Sequence, residues 1–401
     1  MKLENVLTFK DVFFTSLGYI VGAGIYSLLN ITTKYGGNLT YISFIIGGFI
    51  AIMTGLSYAD LAKVFDSNAA EYDYITKTLG GKMKHIIGFV LIGMGILIMA
   101  TLMIAFSNYI TKIFPNVNYK LVLTLLILVT TSINSLGVKL TTNVNLGISI
   151  TESLTLIVLI LFSLNKWKLS EITVPFNKIK YDNILHSSFI TIFTLTGFQA
   201  ITKLAEETKN SKKVIPKAII LSLSVALVIY ILVSISCNSV LGTTNVSNTV
   251  SPISDAFGKI LGKNSYTIVN IIAIFSIFNT VMLTQLFTSR QLYGISKDNI
   301  FHKTFTNVNS KFKTPIYSIL FVGSIAFILS NFKNIENSTI ATNIFIFSLF
   351  MLVNLSAIIL RYKNKNKKTD YFIKSPAHSY IGLISCVCLL YKSISNNYFK
   401  G

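Results

Sequence analysis

The chain has 401 residues, 52% of them hydrophobic and only 12% charged, with a formal net charge of +20. A soluble domain of this length needs roughly 25% charged residues to coat its surface, so the composition excludes an ordinary soluble globule and makes lipid the expected solvent. The excess of Lys and Arg lies between apolar blocks, not on a basic face with interleaved aromatics, and this argues against a nucleic-acid binder.

Residues 1–10 are short and polar and run directly into apolar sequence, so no cleavable signal peptide is expected. Eleven spans of the length a bilayer requires are predicted. The first five cover 11–33, 38–64, 85–113, 119–138 and 145–164, and a polar stretch with Trp167 and Pro175 follows. The next five cover 185–204, 214–241, 265–289, 315–331 and 337–361. A Lys-rich linker over 361–374 leads to a last, weaker span near 379–393. Pro115, Pro216 and Pro315 stand at segment ends, where a missing backbone donor costs little. Cys237, Cys386 and Cys388 show no disulfide or metal spacing, and His85, His186, His302 and His378 are scattered. No metal and no cofactor is expected.

Charge placement orients these spans. With the N-terminus in the cytoplasm, about two-thirds of the Lys and Arg residues fall inside, as the positive-inside rule requires. The dense clusters at 203–217, 290–313 and 361–374 are then all cytoplasmic. The expected location is an integral, multi-pass position in the cell membrane, plasma or inner.

Ten spans precede the linker, five and then five, so the second half runs opposite to the first. This is how inverted repeats arise in secondary transporters. The expected fold is therefore an all-α transmembrane domain over 1–401. It has a five-plus-five inverted-repeat core, with one repeat over 11–164, the other over 185–361, and the basic linker and weak span over 362–401. A glycine break falls near the middle of the first span of each half: Gly18-Tyr-Ile-Val-Gly22-Ala23-Gly24-Ile25-Tyr26, and Phe193-Thr-Leu-Thr196-Gly197-Phe198-Gln199. Mid-helix glycine weakens a helix by nearly 1 kcal/mol relative to alanine and permits unwinding. Glycine also serves close helix packing in membranes, and the matched pair of breaks brings the two readings level.

Several stretches carry a family resemblance. Val21–Tyr26 resembles the glycine-rich first helix of the amino acid–polyamine–organocation (APC) transporter superfamily. Gly55-Leu-Ser-Tyr-Ala-Asp-Leu61, Ala70-Glu-Tyr-Asp-Tyr-Ile75 and Leu79-Gly80 are similar to its second helix and the entry to its third. Gly197–Asn210, continuing to Ile215-Pro216-Lys-Ala-Ile219, is similar to its sixth helix and the turn into the seventh. Ser289-Arg290-Gln-Leu-Tyr293 and Thr314-Pro315 follow in the family's order. The resemblance covers about 10–361 and implies discontinuous helices 1 and 6 around a midplane site.

Interrupted helices in lipid expose backbone groups that are tolerated only where they line a cavity. Freed N–H groups at a half-helix start attract a carboxylate, and freed carbonyls attract an ammonium. The resemblance implies that the N–H groups of Ala23, Gly24 and Ile25, after the break at Gly22, hold a substrate carboxylate. The carbonyls of Ile20, Phe193 and Thr196 would hold the amino group. Phe193 would be an aromatic gate, with an ordinary core aromatic as the alternative, and Gln199 beyond Gly197 would reach the substrate side chain or hydrogen-bond between helices.

Glu152 departs from the family pattern. Many relatives place a lysine there, and here the sign is reversed. On span boundaries it is expected some seven residues into span five, about 10 Å from the cytoplasmic end. Intramembrane carboxylates are costly and usually functional. Glu152 is therefore the coupling candidate, a proton carrier, with a role in favouring a cationic substrate, a place in an aqueous vestibule or a pairing with a loop lysine as alternatives. Glu206 and Glu207, beside Lys203, Lys209, Lys212 and Lys213, and Asp60 with Tyr58 are expected to form ion pairs or a cytoplasmic gate.

The function expected is a secondary transporter moving an amino acid, cationic or neutral, with or without proton coupling. A polyamine or organic cation carrier is the alternative within the class, and a non-transporting receptor or scaffold the alternative outside it. No His-Glu-x-x-His, Gly-x-Ser-x-Gly or phosphate loop is present, so no enzyme and no ATP-driven pump is expected.

Overall fold

The computed structural model describes residues 3–114, 116–168, 173, 179–332, 335–364 and 369–397. These form helices and no strands. In the first half, α1 (Phe9–Gly36) leaves the N-terminal side and α2 (Thr40–Val64) returns. The short α3 (Ala70–Leu79) lies on that side, and α4 (Lys84–Ile113), α5 (Tyr119–Ser135) and α6 (Val138–Ser163) then cross in turn.

In the second half, α7 (Tyr181–Thr194) continues, after a break, as a 3₁₀ helix over Phe198–Glu207. It is followed by α8 (Ser211–Leu241), the short α9 (Thr243–Asn248) and α10 (Pro252–Leu261), and α11 (Lys263–Ser296). The last crossings are α12 (Ile316–Ser330), α13 (Ile335–Lys363) and α14 (Ala377–Asn397).

Among the described residues seven helical stretches are long and apolar enough to cross a membrane, and α5, α12 and part of α14 are shorter apolar helices. Large apolar side chains such as Phe49, Leu128, Leu161, Val228 and Phe275 are exposed on the outer faces. Water would oppose such a surface and lipid accepts it. The interior carries hydroxyls and amides between the helices. Asn145 and Ser149 of α6 both donate to the Phe14 carbonyl of α1, at 3.0 and 3.1 Å, and Asn279 of α11 donates to Asn145 at 2.9 Å. These contacts fix the first half of α1 between α6 and α11.

A helix occupies each of the eleven predicted spans, with shifted ends. Helix α6 begins at Val138, not near 145, because Gly137 (φ +129°) turns the chain and the polar run Lys139–Asn145 is already helical. Glu152 therefore lies 14 residues into the helix, about 21 Å from its start at 1.5 Å per residue. This corrects the shallow position expected from composition, which had counted those polar residues as loop. Pro216 lies inside α8, whose first turn begins at Ser211, while Pro315 does cap α12. Pro115 and Pro175, and part of the basic linker, lie outside the described residues.

Candidate functional site: two facing helix breaks

Helix α1 is kinked at Gly22, whose backbone (φ −37°, ψ −126°) is not helical. Helix α7 stops at Thr194, and Gly197 adopts φ +125°, a conformation open to glycine and strained for other residues. The two breaks touch. A Cβ on Gly24 would stand 2.8 Å from the Thr194 carbonyl oxygen, and one on Gly197 would stand 2.8 Å from the Tyr19 ring. Glycine is thus required by contact at Gly24, and by contact and conformation together at Gly197. The 3₁₀ stretch that follows runs for 10 residues, far beyond the 3–4 usual for this geometry, as occurs at hinges.

A cavity of about 280 Å³ opens between the breaks. Of the residues expected from the sequence, Ile20, Gly24, Phe193, Thr196, Gly197 and Gln199 line it. Gly22 instead packs against the Thr280 hydroxyl, and Ile25 is buried. Sequence reasoning missed Tyr19, Leu28 and Thr194 beside the breaks, Ile98, Thr101, Leu102 and Ala105 of α4, Ile277 and Thr280 of α11, and Ile346 of α13. No signal marks these, since the helices that carry them are apolar on most faces.

The backbone acceptors at the break are partly engaged. The Ile20 carbonyl accepts the Tyr230 hydroxyl at 2.7 Å. The Phe193 carbonyl already accepts both the N–H and the hydroxyl of Thr196, at 3.0 and 2.7 Å. The Gln199 side-chain oxygen accepts the Gly197 N–H at 2.8 Å and so braces the break itself.

Behind α1, Glu152 is fully buried and does not line the cavity. Neither of its carboxylate oxygens meets a hydrogen-bond partner of good geometry. The Ser276 hydroxyl and the phenols of Tyr26 and Tyr230 lie around it. Among the described residues no lysine pairs with it, and at 0% exposure it does not reach an open vestibule.

Below the cavity the N-terminal side is sealed. Tyr58, Phe198 and Phe350 are fully or almost fully buried and meet ring to ring. Glu207 takes both Nε and Nη2 of Arg290, at 3.1 and 3.2 Å, with both side chains buried. Glu206 pairs with Lys297 at 2.7 Å. The partners thus come from α11 and the turn after it, not from the lysines adjacent in sequence. Lys203 faces Glu71 of α3 at 3.8 Å. Asp60 stands apart from this cluster. It accepts the N–H groups of Phe372 and Ile373, at 2.8 and 3.1 Å, and meets Arg361 and His378, so it anchors the C-terminal linker to α2. A larger cleft of about 890 Å³, edged by Glu206, Lys212, Lys213 and Lys297, opens on the same side, but none of the break residues lines it.

A profile of the amino acid permease family matches residues 7–398. The chain belongs to the amino acid permease family. Curated relatives of this permease include a branched-chain amino acid permease of Bacillus subtilis, 26% identical over 90% of this chain and 82% of the relative. A methylthioribose transporter of the same organism is 25% identical over 97% and 88%. A vacuolar cationic amino acid transporter of Arabidopsis thaliana is 23% identical over 91% and 64%.

Proposed function

We propose that the chain is a secondary active transporter that carries an amino acid by alternating access, one repeat (11–164) rocking against the other (185–361). The contact of the two breaks beside one cavity, sealed on its N-terminal side, carries this reading. The N–H groups of Ala23, Gly24 and Ile25 receive the substrate carboxylate. The carbonyls of Ile20 and Thr196 receive the ammonium, since the Phe193 carbonyl already accepts two hydrogen bonds. Phe193 closes over the substrate as the aromatic gate. The charge bias puts the N-terminus in the cytoplasm, so the sealed aromatic and ion-pair layer is the inner gate, and the host is the cell membrane. We assign the chain no catalytic activity.

Glu152 is the coupling residue in this reading. A buried carboxylate without a counterion is very unfavourable as an anion. The sealed site holds the proton, and water entering along α1 as the gate opens releases it. The test is radiolabelled uptake into proteoliposomes over all amino acids, with and without an inward proton gradient. Saturable, gradient-stimulated uptake of an amino acid is expected. Specific binding without flux would instead fit a receptor that keeps the fold.

A further inference from the structure

We propose that this permease selects amino acids with uncharged, apolar side chains, aliphatic ones foremost, and rejects cationic ones. The inference rests on the reading of the two breaks as the site for the substrate carboxylate and ammonium. Those groups fix which part of the cavity is left for the side chain. Its walls are Leu28 of α1, Ile98, Leu102 and Ala105 of α4, Ile277 of α11 and Ile346 of α13. No Asp, Glu, Lys, Arg or His is among the described residues that line it.

The polar side chains at its edge are neutral, and the threonine hydroxyl protons are already placed. Thr101, Thr194, Thr196 and Thr280 each donate the hydroxyl proton to a backbone carbonyl in their own segment. The Tyr19 hydroxyl bonds Thr284 at 3.0 Å, and the Gln199 oxygen is held by Gly197. An ammonium or guanidinium in this compartment would lose its water and gain no counter-charge, which is the costliest form of burial. An aliphatic side chain gains by transfer from water and needs no partner. Glu152 does not alter the balance, because it lies behind α1, outside the cavity. Size agrees as well. At about 280 Å³ the cavity lies just below the roughly 300–1,000 Å³ of drug-sized ligand sites, enough for one small solute.

The experiment is competition in proteoliposomes of the full chain, with labelled leucine outside and unlabelled leucine inside. Isoleucine, valine, methionine, lysine, arginine, putrescine and methylthioribose are the competitors. Leucine is expected to exchange, isoleucine, valine and methionine to compete, and a hundredfold excess of lysine, arginine or putrescine to leave the signal unchanged. Competition by lysine or arginine at concentrations like those of valine would overturn the selectivity while leaving an amino acid carrier in place. No exchange of any amino acid, with labelled methylthioribose transported instead, would overturn the underlying reading as well. A variant tests the wall directly. Leu102→Ala is expected to shift the preference for phenylalanine over valine by about tenfold. An unchanged ratio with retained leucine exchange would contradict the placement of the side chain against α4.

Discussion

At the scale of single residues, the buried ionisable groups divide into paired and unpaired ones, and the division predicts their behaviour. Glu207 and Arg290 satisfy each other in a fork geometry with no exposure. Arg290→Met leaves a buried carboxylate without its partner and is expected to cost about 3–5 kcal/mol. Glu207→Leu/Arg290→Met removes both charges and is expected to recover most of that loss. Thermal unfolding of the purified variants in detergent measures both, and equal losses in the single and double variants would contradict the pairing. Glu152 has no such partner. Glu152→Gln keeps its shape and removes its proton. Transport by this variant is expected to lose its dependence on external pH while leucine exchange continues, and an unchanged pH profile would rule out the carrier role. The sequence showed that a carboxylate stood at this place but not how deep it lay, because polar residues at the start of α6 read as loop.

At the scale of elements, the breaks are the informative features. The glycines at 22, 24 and 197 were legible because they recur at matching places in two spans of opposite direction. What their spacing did not show was that Gly24 is set against the Thr194 carbonyl and Gly197 against Tyr19. Those contacts depend on how α1 and α7 cross. The walls of the cavity were not legible either. Ile98 and Leu102 look like any other residues of an apolar helix until packing selects the face that meets α1. A methyl group at Gly24 presses on backbone that has little room to retreat, whereas one at Gly197 meets a tyrosine ring that has more freedom but adds strain at positive φ. Both Gly24→Ala and Gly197→Ala are expected to lower exchange by about tenfold or more, since ångström displacements of a binding frame cost of that order. Normal exchange in either variant, with normal expression, would contradict the close approach.

At the scale of the whole molecule, the N-terminal side is tied together by groups distant in sequence. The Leu7 carbonyl accepts the Lys209 N–H at 2.9 Å, and the Leu7 N–H donates to the Glu207 carbonyl at 2.9 Å. Asp60 collects the C-terminal linker, and Glu71 of α3 reaches Gln291 of α11 at 3.0 Å and Lys203. The sequence set Glu206 and Glu207 beside neighbouring lysines, yet their partners are Lys297 and Arg290, since pairing across helices follows packing rather than proximity along the chain.

Burial raises the Glu71 carboxyl above its ordinary 4.5, and Lys203 offsets only part of this. A carboxyl raised in the folded state contributes its stability fully below the unfolded value and loses it as pH rises through the folded one. Glu71 therefore makes the melting temperature decline as pH rises from 4.5 towards neutrality, and Glu71→Gln is expected to flatten that decline. An identical slope in the variant would contradict the burial.

Leucine counterflow in proteoliposomes carrying either the wild-type chain or Gly24→Ala tests most directly whether the two breaks form the transport site. The account predicts transient accumulation of label driven by internal leucine in the wild type and its near abolition in Gly24→Ala. Equal counterflow in both, or accumulation that does not depend on internal substrate, would contradict it.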